Sequence, residues 1–183
     1  MVIREEGLRD HAAIRVLYRA IFGREDESLL VDRLRADGMH IVSLVAEDDA
    51  LDDAQDSAGA ASAGIIAHAL FSEVRIETQT GPMRGAALAP IGVAAARRKS
   101  GIGSELIKEG FEICRERGRV AVVVLGDPKY YSRFGFRWEP ARRLKSPYSD
   151  AGKNWMAAEL VPGALKDVYG LVRYPEAFEA VGE

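Results

Sequence analysis

Cysteine is nearly missing: Cys114 stands alone among 183 residues. No disulfide can form within the chain, and a reducing, cytoplasmic setting is expected. That thiol falls on the apolar side of a predicted helix, where it reads as a packed structural group and not a nucleophile. Histidine is scarce too. His11, His40 and His68 are scattered, with no metal-ligand spacing to the cysteine, so neither a zinc site nor a catalytic thiol is expected, and no metal. No apolar run approaches the roughly 18 residues of a membrane helix. Residues Met1 to Glu6 lack the basic head and apolar block of a secretion signal. No Gly-x-x-x-x-Gly-Lys-Ser/Thr run exists, which excludes a P-loop nucleotide site. A large excess of one charge is also absent. With 25 Lys and Arg against 28 Asp and Glu, the net charge is -3 and the pI about 5.7. Such a field is too weak to gather nucleic acid by itself.

What is present suits one compact domain: 48% hydrophobic and 29% charged residues in a chain long enough to bury a core without staples. Its centre is the stretch from Ala89 to Cys114. A strand ends near Val93, a basic, glycine-bearing turn covers Arg97 to Gly103, and an amphipathic helix follows. Ile102, Leu106, Gly110 and Ile113 form one stripe of that helix, with Ile107, Phe111 and Cys114 beside it. Arg97, Arg98 and Lys99 stand at the end of the helix that already carries about half a positive charge, where cations cost several tenths of a kcal/mol each. A polyanion resting there removes the conflict. Gly101 and Gly103 let backbone N–H groups approach it, so the turn reads as a pyrophosphate cradle.

Arg98-Lys99-Ser100-Gly101-Ile102-Gly103 resembles the Arg/Gln-x-x-Gly-x-Gly/Ala signature of GNAT-type N-acetyltransferases. Asp127-Pro128-Lys129-Tyr130-Tyr131-Ser132-Arg133-Phe134-Gly135-Phe136 resembles the family's second signature, Asn…Phe-Tyr-x-x-x-Gly-Phe, in the right order and at the right spacing. The resemblance covers about residues 85 to 138. It implies an α/β GNAT-like acyl-CoA N-acyltransferase fold: a central mixed, mostly antiparallel sheet, a helix pair on one side and the coenzyme helix on the other. It implies an N-acetyltransferase that moves an acetyl group from acetyl-CoA to an amine by direct attack in a ternary complex. The alternatives are a catalytically weak acyl-CoA-binding sensor, or an O-acyl or longer-acyl transferase. Acetyl-CoA and an amine-bearing acceptor are the expected partners, without membrane or nucleic acid; pairing of two copies as a homodimer stays open.

By the same resemblance, coenzyme contacts fall on Ile91, Val93, Arg98, Lys99, Ser100, Gly101, Ile102, Gly103 and Ser104. Tyr131 takes the place of the tyrosine that protonates the departing thiolate. The general base stays open among Glu73, Glu77, His68 and Asp127, with a water chain as an alternative. The 3′-phosphate is assigned to cations among Arg97 to Lys99, Lys129 and Arg133. The N-terminal helix pair walls the acceptor groove in the resembled family, which adds Tyr18, Phe22 and Glu27 as contacts.

Along the chain, periodicity predicts a first strand at 2–4, helices at about 9–22 (with Asp10 as a cap) and 25–36, and strands at 41–46, 63–77 and 83–94. Pro90 interrupts the last of these. Residues 47–62 are acidic and small and predict a mobile hairpin loop. A buried strand is predicted at 119–125 and a short helix through Tyr131. Phe134 to Phe136 then leads into another strand, and a closing strand covers 155–161. The acetyltransferase domain is placed at 1–161, with 162–183 as an extension packed on it as a hairpin or short helix.

Overall fold

The computed structural model describes residues 1–48 and 64–181. The predicted hairpin loop over 47–62 lies almost entirely outside the described residues. In chain order the elements are β1 (Val2–Glu5), α1 (His11–Phe22), α2 (Asp26–Ala36), β2 (His40–Glu47), β3 (Ile65–Thr78) and β4 (Gly81–Val93). They continue with α3 (Ile102–Glu116), β5 (Ala121–Leu125), α4 (Pro128–Tyr131), α5 (Trp138–Ala141), β6 (Leu144–Lys145), β7 (Trp155–Glu159) and β8 (Gly170–Arg173). The strands form one sheet in the order β1-β2-β3-β4-β5-β7, and β8 joins β3 beyond the end of β2. Only β4–β5 and β6–β8 pair in parallel. The sheet is therefore mixed and mostly antiparallel, as expected.

Alternation along the strands feeds two cores. On one face Leu70, Val74 and Ile76 of β3 pack with Ile14, Leu17 and Tyr18 of α1 and Leu30, Val31 and Leu34 of α2. On the other, Ala67, Ala69 and Phe71 meet Ile102, Leu106, Ile107 and Cys114 of α3. The helix pair and the glycine-turn helix thus cover opposite faces, because the side chains of a strand point alternately to either side. Gly110 lets α3 approach closely: a Cβ there would stand 2.1 Å from the Phe71 ring. No helix among the described residues is long and apolar enough to cross a membrane.

Three expectations change. Asp10 does not cap α1; its carboxylate accepts from the Arg4 guanidinium at 2.7 and 2.9 Å and from the Gly7 N–H at 2.7 Å, tying the first strand to the helix. After Phe136 the chain makes a single bridge, Arg137 with Ala157, and then turns into α5 instead of a strand. Pro140 explains the turn. It has no N–H for a ladder, and the first turn of a helix needs none from it. In the tail, β8 pairs with β3 and β6, and a 3-10 turn over Glu176–Val181 follows.

Candidate active site

The parallel ladder between β4 and β5 covers only Gly85–Ala87 against Ala121–Val123. Beyond it the two strands separate. On its other edge β4 stays paired with β3, but between the pairs Leu88–Phe71 and Ile91–Ala69 two residues, Ala89 and Pro90, stand opposite the single Leu70, a bulge of one residue. A bulge bends its strand and increases local twist, and Pro90 offers no ladder donor, so this is where a partner strand is most easily lost. The Ala94 N–H donates to Ile66 of β3 at 2.8 Å. By alternation the N–H and C=O of Val93, and two residues earlier of Ile91, point away from β3 into the opening. The Val93 carbonyl accepts from Arg98 Nε at 3.4 Å, which agrees with that direction.

Two cavities meet at this opening. The larger, about 670 Å³, is bounded by Ile91, Gly92 and Val93, by Arg97, Arg98 and Lys99, by Gly101 to Ser104, and by Tyr130, Tyr131 and Arg133. Of the nine contacts expected along the coenzyme from Ile91 to Ser104, all lie on it except Ser100, whose hydroxyl turns back to donate to the Arg97 carbonyl at 2.5 Å. The turn itself is shaped for close approach. Lys99 and Gly101 both have positive φ, 63° and 89°, the second immediately before the helix. Ser104 and Glu105 donate to the Gly101 carbonyl at 2.9 and 3.1 Å. The N–H groups of Ile102 and Gly103 precede the first of these bonds, where a helix has no internal acceptor to offer. Of the cations, Arg97 is drawn aside into an ion pair with Asp48, whereas Arg133 lies over the Tyr130 ring at 4.3 Å. Lys129 is not among the described lining residues.

The smaller cavity, about 350 Å³, lies on the helix-pair side. Phe22, Arg24, Asp26, Glu27 and Leu30 line it together with Ala87 to Ile91, Val123 to Leu125 and Tyr131, and the tail contributes Tyr148, Tyr174 and Phe178. Among the described residues, only Ile91 and Tyr131 line both cavities. The Tyr131 ring is fixed from three sides. A Cβ on Gly126 would come within 2.3 Å of it, and it meets the rings of Tyr130 and Phe136 edge-on at 4.9 and 5.6 Å. Burial, with a smaller push from Tyr130, raises the Tyr131 phenol to about 12. It holds its proton at neutral pH. Tyr130 leans instead on the helix start, its hydroxyl 2.7 Å from where a Cβ of Gly103 would stand.

The four candidate bases are all elsewhere. His68 is fully buried, with Nδ1 2.6 Å from the Tyr18 hydroxyl and Nε2 2.7 Å from Ser43 Oγ and 3.3 Å from Glu6. Burial lowers its pKa despite the nearby carboxylate. A neutral ring satisfies every contact when Nε2–H faces Ser43 and Glu6 and Nδ1 accepts from Tyr18. Glu73 pairs with Arg119 and Arg84, and Glu77 with Arg173. Asp127 caps α4 by accepting from the Lys129 N–H at 2.9 Å. Of the expected acceptor contacts, Phe22 and Glu27 line the smaller cavity, while Tyr18 is committed to His68. Arg24, Asp26, Tyr148, Tyr174 and Phe178 carry no local sequence signal. Only the charges flanking Gly23 and the aromatic content of the tail point towards them.

Comparison with known proteins agrees with this architecture. A model of the acetyltransferase (GNAT) domain matches residues 11–140. The uncharacterized N-acetyltransferase YhbS of Escherichia coli strain K12 is 33% identical over 178 residues, covering 97% of this chain and 98% of that protein. The crystal structure of E. coli YhbS in complex with CoA superposes with a TM-score of 0.81 at 33% identity, covering 97% of this chain and 91% of that one. A GNAT family acetyltransferase from Brucella melitensis, in complex with acetyl-CoA, gives 0.73 at 31% identity and 97% of both chains. Domain match, full-length relatedness and the opened β4–β5 pair lead to one assignment: this chain belongs to the GNAT acetyltransferase family.

Proposed function

We propose that the protein transfers the acetyl group of acetyl-CoA to an amine held in the smaller cavity, by direct attack while both substrates are bound. One observation carries this reading: two cavities of different character meet at Ile91 and Tyr131. The crystal structures of E. coli YhbS and of the Brucella protein contain CoA and acetyl-CoA, which supports acetyl-CoA as the occupant of the larger one. There the pyrophosphate rests on the N–H groups at the start of α3, with Arg98 and Lys99 beside it. Arg133, on the same wall, serves the 3′-phosphate. The pantetheine arm follows the outward N–H and C=O groups of Ile91 and Val93 as a missing strand would.

This places the thioester at the junction. The amine nitrogen attacks the carbonyl carbon, and the Val93 N–H donates to the oxygen as it becomes an oxyanion. The C–S bond then breaks, the sulfur takes the Tyr131 proton, and the proton shed by the amine restores the phenol through solvent. Holding two reactants in one orientation is the largest contribution available to such a reaction. Residues 1–161 form the transferase domain in this reading, and the extension at 162–183 walls the acceptor cavity through Tyr174 and Phe178. Free-thiol release from acetyl-CoA, measured with and without a panel of amines, tests the whole. Amine-dependent release is expected. Tight coenzyme binding without it leaves a sensor, and no binding at all overturns the reading.

A further inference from the structure

The smaller cavity has a composition that narrows its ligand, and the argument rests on the transferase reading above. Among the described residues that line it, the charged side chains are Arg24, Asp26 and Glu27, all at the α1–α2 end. Arg24 reaches both carboxylates, Glu27 at 2.7 Å and Asp26 at 3.5 Å. Arg24 engages both Glu27 oxygens, its Nε–H donating at 3.2 and 3.4 Å and a terminal N–H at 2.7 Å, so the one negative charge left over is that of Asp26. Glu27 is enclosed with its partner, its side chain 13% exposed, whereas Asp26 at 41% is open to an arriving cation. The opposite wall is aromatic. Tyr174 meets Tyr148 and Phe178 edge-on, with centroids 5.1 and 4.9 Å away, and Phe22 closes the mouth. Burial raises both tyrosines, Tyr174 well above its ordinary range with some help from Tyr148, so neither hydroxyl adds charge.

We infer that the acceptor is a small primary amine on an aromatic body, carrying one positive charge and no carboxylate. A flat ring gains offset or edge contacts with the aromatic wall, and a single ammonium matches the surplus carboxylate, which it leaves with one proton lost to solvent before the neutral nitrogen attacks. A carboxylate next to the amine, as in an amino acid, would face Asp26, with Arg24 already spent on Glu27. The further ammonium groups of a polyamine find no second unpaired carboxylate among the described lining residues and would have only ring faces, Leu88 and Val123 against them, a costly burial. About 350 Å³ is near the lower end for a small-molecule pocket, which excludes a bulky aminoglycoside.

The test compares kcat/KM of the full-length protein for phenethylamine, free phenylalanine, butylamine and spermidine, read as thiol release from acetyl-CoA. Phenethylamine is expected to lead each of the others by about tenfold or more, the usual scale for one mismatched group in a pocket. Asp26→Asn should raise KM for phenethylamine about threefold, the scale of a half-exposed ion pair, and narrow its lead over free phenylalanine, with acetyl-CoA affinity unchanged. If that variant fails to fold, Phe22→Leu at the half-open mouth should narrow the lead over butylamine. Preference for spermidine or for free phenylalanine overturns the inference and leaves acetyl transfer standing. No turnover, but calorimetric binding of phenethylamine to the CoA-loaded protein that Asp26→Asn weakens, overturns the transferase reading and leaves the ligand class standing. Neither turnover nor binding overturns the inference.

Discussion

Tyr131 and Tyr130 are adjacent in sequence, and position separates them. Tyr130 lines only the larger cavity, while Tyr131 lines both and is clamped by Gly126, Tyr130 and Phe136. If Tyr131 protonates the leaving thiolate, Tyr131→Phe should lower kcat by about 10²-fold while the acetyl-CoA dissociation constant stays the same. Tyr130→Phe should not produce that drop. With the Tyr131 phenol near 12, no alkaline loss of rate assignable to it should appear below about pH 10. Single-turnover rates across pH for both variants decide the matter; equal rates for wild type and Tyr131→Phe would remove the assignment. This tyrosine was legible in the sequence because it stands in a spaced signature. The role of His68 was not, because nothing local says that its ring is sealed between Tyr18, Ser43 and Glu6. A lone histidine in an apolar strand looks the same whether it is a base or a core hydrogen-bond centre.

At the scale of elements, α3 has two glycines with different work, and substitution should separate them. A Cβ on Gly103 would meet the Tyr130 hydroxyl at 2.7 Å and Val93 at 3.6 Å, on the wall of the larger cavity. Gly103→Ala should therefore weaken acetyl-CoA binding by about tenfold, with a stability loss below about 1 kcal/mol, since a ring end can shift. Gly110 lies two turns further on against Phe71, at 2.1 Å and in the core. Gly110→Ala should cost about 1–3 kcal/mol by overpacking and leave the affinity of the folded fraction unchanged. Urea unfolding beside calorimetric titration reads both, and reversal of the two effects would refute the division. The helix and its turn were readable because their signals are local: apolar residues at helical spacing, glycines and misplaced cations. The departure after Phe136 and the tail's contribution to the smaller cavity were not. Tyr148, Tyr174 and Phe178 are brought to β4 and β5 by the pairing of β8 with β3, a contact between residues nearly a hundred positions apart.

For the molecule as a whole, the fold places a polar network beneath the strand that borders the larger cavity. Glu6 accepts from Arg35 at 2.6 and 2.7 Å and lies 3.3 Å from His68 Nε2. His68 bonds Tyr18, and the Tyr18 ring rests where a Cβ of Gly92 would come within 3.1 Å. Burial alone would push the Glu6 pKa up. The hydrogen bonds and charges of His68 and Arg35 outweigh it and hold the group well below its ordinary 4.5. His68 is shifted in the same direction, below 6.5, by burial. In both cases the unfolded chain binds a proton at a pH where the folded chain does not, so acidification favours unfolding. The His68 contribution begins to be lost as pH falls through 6.5, and the Glu6 contribution as it falls through 4.5. Each has a slope of at most about 1.4 kcal/mol per pH unit. Urea unfolding at successive pH values should show stability falling from neutrality towards pH 5. His68→Gln, which keeps a donor and an acceptor but cannot titrate, should flatten the segment below 6.5 and leave the steeper loss below 4.5. An unchanged slope in the variant would mean that the first window belongs to another group. Because Tyr18 supports Gly92 on the wall of the larger cavity, weaker acetyl-CoA binding should accompany that first loss in wild type and be absent from the pH dependence of the variant if the coenzyme lies there.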